Sequence, residues 1–142
     1  MIHYVKGIIT EKEQGYVVVE NSGVGFLVYV PLGDAAYLDN DGPVTLYTSM
    51  QVKEDDISLY GFSDRTALKI FEMLITVSGV GAKAAMSILS ALSPAELKKA
   101  VIAGDIKAIS SANGIGKKTA ERVVLELRDK IAKLEGIGTS GL

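Results

Sequence analysis

The sequence predicts an α+β protein in which a small five-stranded β-barrel over residues 1–63 precedes an all-α domain over residues 64–135. Three observations support this prediction. Five short runs rich in Val, Ile, Tyr and Thr fill the first part of the chain, the spacing of apolar residues then becomes helical, and one helical pattern occurs twice. Residues 136–142 are rich in Gly and Ser and are expected to begin a flexible linker.

The five expected strands are separated by turn-forming residues. Asn21-Ser22-Gly23 and Asp41-Gly42-Pro43 are the clearest turn signals between them. The runs themselves are YVKGIIT, YVVVE, GFLVYV, VTLYTSMQV and ISLYGF. Because short strands leave exposed edges unless the sheet closes on itself, five of them in succession favour a small barrel.

Helical periodicity begins after Ser63 and Asp64. Ser93, Pro94 and Glu96 predict a helix start with an N-cap, a proline at the first helical position and a capping box. Apolar residues of the first helix recur at Ala67, Ile70, Phe71 and Leu74. The last helix is expected to bury a stripe formed by Ala120, Val123, Val124, Leu127, Ile131 and Leu134.

Composition limits the class of protein. Of the 142 residues, 48% are hydrophobic, which is enough for a packed core. The absence of Cys excludes disulfides and thiolate metal sites and fits a reducing compartment. No apolar run approaches the roughly 20 residues that span a bilayer, and the N-terminus lacks the apolar block of a signal peptide. A soluble cytoplasmic protein is therefore expected.

Charge is distributed unevenly along the chain. The net charge is −2, but residues 1–63 carry three lysines against nine acids, a net of −6. Residues 64–142 carry twelve Lys and Arg against eight acids, a net of +4. A chain polarised in this way can bind an anion with its second half and repel it with its first.

The helical part contains an internal repeat. Residues 78–89 (SGVGAKAAMSIL) and 113–124 (NGIGKKTAERVV) align without gaps at a period of 35. The alignment pairs Gly79 with Gly114, Gly81 with Gly116, Lys83 with Lys118 and Ala85 with Ala120. Each copy is predicted to form a helix, a tight turn and a second helix.

The second helix of each copy begins with positively charged side chains, where acidic ones are usual. Lys117, Lys118 and Arg122 crowd a helix N-terminus, where the backbone dipole favours acids. A bound phosphate would explain them, because glycines let a ligand approach the backbone and the first helical N–H groups lack partners. Two copies would hold two phosphates of a nucleic-acid backbone without contacting base edges. The candidate binding residues are Gly79, Val80, Gly81, Lys83, Gly114, Ile115, Gly116, Lys117, Lys118 and Arg122.

Two familiar phosphate-binding motifs also contain closely spaced glycines, and neither fits this chain. A P-loop fails because Lys118 stands where Ser or Thr is needed and Ser111 stands where the first Gly is needed. Residues 79–84 resemble a dinucleotide-binding fingerprint, but that motif must follow a strand, and here it follows a helical pattern. A helical hairpin with ordinary surface lysines remains as an alternative, weakened by the duplication.

The two repeated units are similar to helix-hairpin-helix motifs, and the chain as a whole resembles the RuvA family, the Holliday-junction-binding subunits of the bacterial branch-migration machine. The resemblance rests on MIHYVKGII, GVGFLVYVP, VKEDDISLYGF, GVGAKAAMSILS and GIGKKTAERVVLELRDK. It implies an OB-fold barrel and a homotetramer, single or paired, that forms a square-planar platform on four-way junction DNA during recombination and repair. It also implies two protein partners, the separate ATPase motor RuvB and the resolvase RuvC.

The family normally continues beyond the linker into a third, small helical domain that contacts the ATPase. This sequence ends at Leu142, inside the linker-like tail. As written, the chain is expected to bind and assemble on junctions without recruiting the motor.

An acidic stretch, KEDD at residues 53–56, lies between two expected strands. From the residues alone it is a solvated hairpin turn, and a carboxylate metal site for nuclease chemistry is a weaker alternative. The resemblance implies a third role, in which Glu54 and Asp55 form the family's acidic pin near the crossover of the junction. Asp56 falls outside the matched pair.

No catalytic residue, metal site or cofactor is predicted. The sequence has one His, no Cys and no Walker A motif. The residues that usually act as a general base or nucleophile, or that bind ATP for hydrolysis, are therefore scarce or missing. A non-catalytic DNA-binding subunit is expected. Two alternatives stay open, namely a generic helix-hairpin-helix duplex binder and a repair enzyme built on the same motifs. Such an enzyme would need an acid beside the two hairpins, and Asp129 lies too far along its helix to serve.

Overall fold

A computed structural model describes residues 1–134 of the chain. The chain divides into two compact units, of which the first covers Met1–Leu68 and the second begins at Lys69. The boundary predicted near residue 63 lies a few residues before this division. The linker predicted over residues 136–142 lies outside the described residues.

The first unit is a closed five-stranded barrel with the strand order β1-β2-β3-β5-β4. Neighbouring strands are antiparallel except β3 and β5, which pair in parallel. All five predicted strands are present. Their bounds are β1 Tyr4–Glu13, β2 Tyr16–Asn21, β3 Val24–Tyr29, β4 Pro43–Val52 and β5 Ile57–Phe62.

Strand β1 closes the barrel by pairing with two neighbours. Residues 4–8 of β1 pair with β4, and residues 8–13 pair with β2, with a register shift in the second ladder between Ile9 and Glu11. Such a bulge bends a strand and increases its twist, which lets one strand serve two sides of a small barrel. Inward-facing side chains of the strands and of the β3–β4 connection fill the interior: Val5, Ile9, Val17, Val19, Val28, Val30, Ala35, Leu46 and Leu59. Burying each Val or Leu contributes about 1.5–3 kcal/mol relative to leaving it in water.

The β3–β4 connection contains a short helix that the sequence did not predict. This helix, α1, covers Leu32–Ala35 and follows Pro31. Ala35 is buried and extends the barrel core. Four residues are too few to display a helical period, so the pattern of apolar residues carries no signal for this element.

Within residues 1–134, five helices follow the barrel strands in chain order. They are α2 Arg65–Leu74, α3 Ala82–Ala91, α4 Pro94–Ala103, α5 Ile106–Ser110 and α6 Lys117–Ala132. Their largest fully buried side chains are Ile70, Phe71, Leu74, Ile88, Leu97, Ile109, Leu127 and Ile131. The predicted α6 stripe is confirmed for its first five residues. The prediction that Leu134 belongs to this helix is wrong, because α6 ends at Ala132 and Lys133 forms its C-cap.

Candidate nucleic-acid interface

The two glycine-containing turns have the same local structure. In the first, which joins α2 to α3, the Val80 N–H donates to the Val77 carbonyl oxygen at 3.0 Å. In the second, which joins α5 to α6, the Ile115 N–H donates to the Ala112 carbonyl oxygen at 3.1 Å. We call α2, its turn and α3 the first hairpin, and α5, its turn and α6 the second hairpin.

Gly79 and Gly114 are required by the backbone. Their φ angles are +89° and +78°, in the left-handed region that other residues enter at a steric cost. Both occupy the third position of a four-residue turn, where a type II turn needs a positive φ. The first glycine of each pair is therefore explained by the turn itself.

Val80 and Ile115 anchor the turns from inside. Their side chains are only 5% and 7% exposed, and their N–H groups are used in the turn hydrogen bonds. Although both residues were among the candidate binding residues, neither side chain is open to a ligand. Their contribution to a binding site is to hold the neighbouring glycines in place.

Gly81 and Gly116 have no such internal reason to be glycine. They are the N-caps of α3 and α6, at φ −92°, ψ −175° and φ −84°, ψ 171°, which is extended backbone that any residue adopts. A Cβ atom built at either position would meet no heavy atom of the chain within 4 Å. The space next to both helix starts is therefore open to a ligand.

The helices that follow these glycines start without a side-chain cap. Neither α3 nor α6 has a capping hydrogen bond from its N-cap side chain, and neither has an acid in its first turn. The first N–H groups of an α-helix have no partner within the helix, and the dipole adds partial positive charge there. Both helix starts are consequently suited to an anion.

Three further helix starts in this chain are capped in the usual way. In the predicted capping box of α4, the Ser93 hydroxyl accepts from the Glu96 N–H at 3.1 Å, and the Glu96 carboxylate accepts from the Ser93 N–H at 2.9 Å. Hydrogen bonding to Ser93 lowers the pKa of Glu96. Carboxylates of Asp105 and Asp64 accept from the Ala108 and Ala67 N–H groups at 3.1 Å and 2.8 Å.

Cationic side chains lie beside the uncapped helix starts. Lys83 and Lys118 are the second residues of α3 and α6, and Lys117 is the first residue of α6. All three belong to the first turn of their helices. Arg122 lies one turn further along α6, with its Nη1 atom 3.9 Å from the Glu126 carboxylate. The second hairpin therefore carries more positive charge than the first.

A hydrogen bond ties the two hairpins together. Ser87, on α3 of the first hairpin, donates from its hydroxyl to the carbonyl oxygen of Asn113 in the turn of the second hairpin, at 2.5 Å. The two residues are 26 apart in sequence, so no local pattern could have revealed this contact.

The KEDD stretch at residues 53–56 forms the tip of the β4–β5 hairpin, within the barrel unit. The Lys53 N–H donates to the Asp56 carbonyl oxygen at 2.7 Å, and the Ser58 hydroxyl donates to the Asp56 carboxylate at 2.5 Å. Asp56 thus holds its own turn together. Glu54 and Asp55 are exposed at the tip.

Membrane-spanning helices and clustered metal ligands are both missing from residues 1–134. None of the helices in this part of the chain is long and apolar enough to cross a membrane. In the same residues, His, Asp and Glu side chains form no group of three or more that could hold a metal ion.

Family comparisons agree with this organisation. The family model described as the RuvA N terminal domain matches residues 1–61, and the SAM-like helix-hairpin-helix tandem matches residues 71–130. Together with the closed barrel and the two glycine turns, these matches confirm the predicted OB-fold barrel followed by tandem helix-hairpin-helix motifs.

Curated relatives extend the likeness over nearly the whole chain. A protein from Thermoanaerobacter sp. is 51% identical over 134 residues, which cover 94% of this chain and 72% of the relative. Proteins from Christiangramia forsetii and Chloroflexus aurantiacus are 43% and 46% identical, over 96% and 99% of this chain and 70% and 72% of their own lengths. Each of the three is named as the Holliday junction branch migration complex subunit RuvA, that is, as a subunit of a complex. With a barrel, tandem hairpins and relatives that match in this way, the chain belongs to the RuvA family.

Proposed function

We propose that this chain is a non-catalytic subunit of a branch-migration complex that binds four-way junction DNA through the sugar-phosphate backbone. The observation that carries the proposal is the pair Gly81 and Gly116. Each leaves open space at an uncapped helix start, and neither is required by the backbone or by packing within the chain. A DNA phosphate fits both the space and the charge.

Each hairpin supplies one phosphate site. Free N–H groups at the start of α3 or α6 donate to the phosphate oxygens, and Lys83 or Lys118 adds a full positive charge. Contacts of this kind fix the position of a duplex without distinguishing base pairs. Two sites on one helical unit therefore grip one arm of the junction at two points of its backbone.

The second hairpin makes the stronger contact. Lys117 and Arg122 add to the charge of Lys118 on the same helix. The Arg122–Glu126 pair does not prevent this, because both side chains are exposed and an ion pair in water is worth little. A phosphate can replace the carboxylate as the partner of Arg122.

Assembly gives selectivity for the junction. We propose a homotetramer with fourfold symmetry, in which each subunit holds one of the four arms and the junction is kept open and square-planar. A closed ring of identical subunits matches a substrate with four similar arms. Four weak grips acting together bind far more tightly than one, so a linear duplex, which engages fewer subunits, is bound less well.

The acidic tip completes this selectivity. Glu54 and Asp55 are exposed at the end of a β-hairpin, and a tetramer would bring about eight such carboxylates to the crossover. Carboxylates repel phosphates, which disfavours an unbroken duplex across the centre and helps to keep strands apart as they exchange. We assign these two residues the role of an acidic pin.

In this proposal, separate proteins carry out ATP hydrolysis and DNA cleavage. We propose that the ATPase RuvB drives branch migration and that RuvC cuts the junction. The relatives are named as a subunit of a branch migration complex, which supports a role beside other subunits. A chain that acts by holding DNA is expected to work in the cytoplasm, where the chromosome of a bacterium lies.

A titration tests the proposal. The protein is added to a labelled synthetic four-way junction and to a linear duplex of equal length, each with excess competitor DNA, at two salt concentrations. We expect a strong preference for the junction and an affinity that falls steeply with salt. Equal affinity for the two substrates would overturn junction recognition and leave a generic duplex binder. Binding to neither would overturn the whole proposal.

A further inference from the structure

Ser87 and Arg122 occupy the same position of the 35-residue repeat but have different surroundings. Arg122 is exposed on α6 and lies 3.9 Å from Glu126 of its own helix. Ser87 instead donates a 2.5 Å hydrogen bond to the Asn113 carbonyl oxygen in the turn of the other hairpin. At this position the second copy has a cation, Arg122, whereas the first copy has Ser87, which makes a contact between the two copies.

The Asn113 carbonyl oxygen, which accepts this hydrogen bond, belongs to the central peptide of the second turn. Asn113 and Gly114 are the two central residues of the turn that the Ile115 N–H closes onto the Ala112 carbonyl oxygen. With Gly114 at φ +78°, the peptide between them has the type II orientation. Rotating that peptide by half a turn would give a type I turn, which most sequences favour and which places the third residue at negative φ.

The orientation of this peptide decides where one backbone donor points. All peptide bonds of residues 1–134 are trans, so the Asn113 carbonyl and the Gly114 N–H point in opposite directions. Because the carbonyl oxygen faces Ser87 on α3, the N–H of the exposed Gly114 faces away from α3. A flipped peptide would reverse both groups.

We propose that Ser87 is a positioning residue for DNA binding: its hydroxyl holds the Asn113–Gly114 peptide so that the Gly114 N–H stays directed outward beside the α6 phosphate site. The inference rests on the proposed function, in that the outward donor serves a phosphate. It links the two hairpins, because Ser87 lies in the first hairpin and acts on the turn of the second.

Three variants of the full chain separate this role from general effects on folding. Ser87→Ala removes the hydroxyl, and Ser87→Thr retains it. Ser110→Ala is the matched control, because the Ser110 hydroxyl donates to the Lys107 carbonyl oxygen at 3.3 Å within α5. It removes a hydroxyl from the second hairpin without removing the contact between the hairpins.

The first measurement needs no DNA. Nuclear magnetic resonance relaxation dispersion and amide-to-Hα couplings of Gly114 report whether its peptide exchanges between two orientations. We expect exchange at Gly114 and Ile115 in Ser87→Ala, and wild-type behaviour in Ser87→Thr and Ser110→Ala. Unchanged Gly114 signals in Ser87→Ala would overturn the inference.

The second measurement is the affinity for a four-way junction. We expect Ser87→Ala to bind about two- to tenfold more weakly, the range that follows from losing one side-chain hydrogen bond. Its salt dependence should equal that of the wild type, since no charge is lost, and Ser87→Thr should restore the affinity. If the wild type binds the junction and Ser87→Ala binds it equally well, the inference is wrong and the proposed function stands. If the wild type binds neither junction nor duplex, the proposed function falls, and the Gly114 measurement alone decides whether Ser87 holds the turn.

Discussion

Gly81 and Gly116 begin α3 and α6 with nearly the same extended backbone, at φ −92°, ψ −175° and φ −84°, ψ 171°, and each faces open space. The glycines two positions earlier, Gly79 and Gly114, have φ of +89° and +78°. Gly79 and Gly114 are therefore explained by their turns, whereas Gly81 and Gly116 are not explained by backbone or packing, and we propose that a ligand comes close to them.

Replacing Gly116 with Ala is expected to separate binding from stability. The free energy of unfolding should change by less than about 1 kcal/mol, because alanine accepts this φ and ψ although it is a poorer N-cap than glycine. Affinity for junction and duplex DNA should fall, because the new methyl group occupies the space of the phosphate. Urea denaturation and a DNA titration measure the two quantities.

The control for that variant is Gly114→Ala. A residue with a Cβ atom at φ +78° costs roughly 1–2 kcal/mol, so this variant should lose stability as well as affinity. Wild-type affinity in Gly116→Ala would show that no ligand uses the open space at the start of α6.

Lys118→Ala is expected to weaken binding to all DNA sequences alike. Because one phosphate contact is lost, the slope of log affinity against log salt should become shallower by about 0.9. Lys130→Ala is the matched control, since Lys130 lies in the last turn of the same helix, about 18 Å further along its axis. Equal slopes for these two variants would mean that Lys118 contacts no phosphate.

The double variant Glu54→Gln with Asp55→Asn is expected to bind linear duplex more tightly, by about tenfold or more, because like charges facing each other are costly. The ratio of its affinity for the junction to its affinity for linear duplex should therefore fall. Competition titrations with both substrates measure the effect. A second double variant, Glu13→Gln with Glu20→Gln, removes the same charge from exposed positions on β1 and β2 and should behave as the wild type. An unchanged affinity for linear duplex would remove the pin role from Glu54 and Asp55.

Asp34 is expected to stabilise the barrel unit less at neutral than at acid pH. Burial raises the pKa of this carboxyl group and the charge of Asp64 adds to the effect, although a hydrogen bond from the Ser63 backbone opposes it. With its pKa raised, the folded state binds the proton more tightly than the unfolded state. The contribution of Asp34 to stability is therefore lost as the pH rises through its ordinary value of 3.8 and through the higher folded value.

Asp34→Asn keeps an oxygen for the Ser63 hydrogen bond and removes the charge. The variant should melt at a higher temperature than the wild type at pH 7, and the difference should shrink below pH 3.8. Asp39→Asn, at an exposed position of the same connection, controls for the loss of one negative charge. A lower melting temperature for Asp34→Asn at pH 7 would contradict the argument.

Local patterns in the sequence predicted much of this fold. Five strands and the Ser93 capping box followed from neighbouring residues, because alternation and capping act within a few positions. The tandem hairpins followed from the 35-residue repeat, because each copy contains the two glycines that mark a tight turn. By contrast, α1 was not predicted because its four residues are too few to show a helical period. The apolar stripe placed Leu134 in α6, although the helix ends at Ala132.

The residues of the candidate site were proposed from the sequence, and the structure shows differences among them that the sequence did not. Sequence alone grouped Val80 and Ile115 with the glycines beside them, whereas burial assigns these two side chains to the core. Ser87 gave no signal because its partner is 26 residues away and is a backbone carbonyl oxygen, which no side-chain pattern marks. Contacts of this kind depend on how the two copies of a repeat pack together.

The closure of the barrel has a consequence for how this chain meets its own copies. Since β4 pairs with β1 on one side and with β5 on the other, each of the five described strands has a neighbour on both sides. No strand of this barrel leaves a whole edge unpaired, which makes the barrel a poor template for fibril growth at high concentration. Contacts between copies that form through exposed side chains of the barrel can change one substitution at a time without disturbing the sheet.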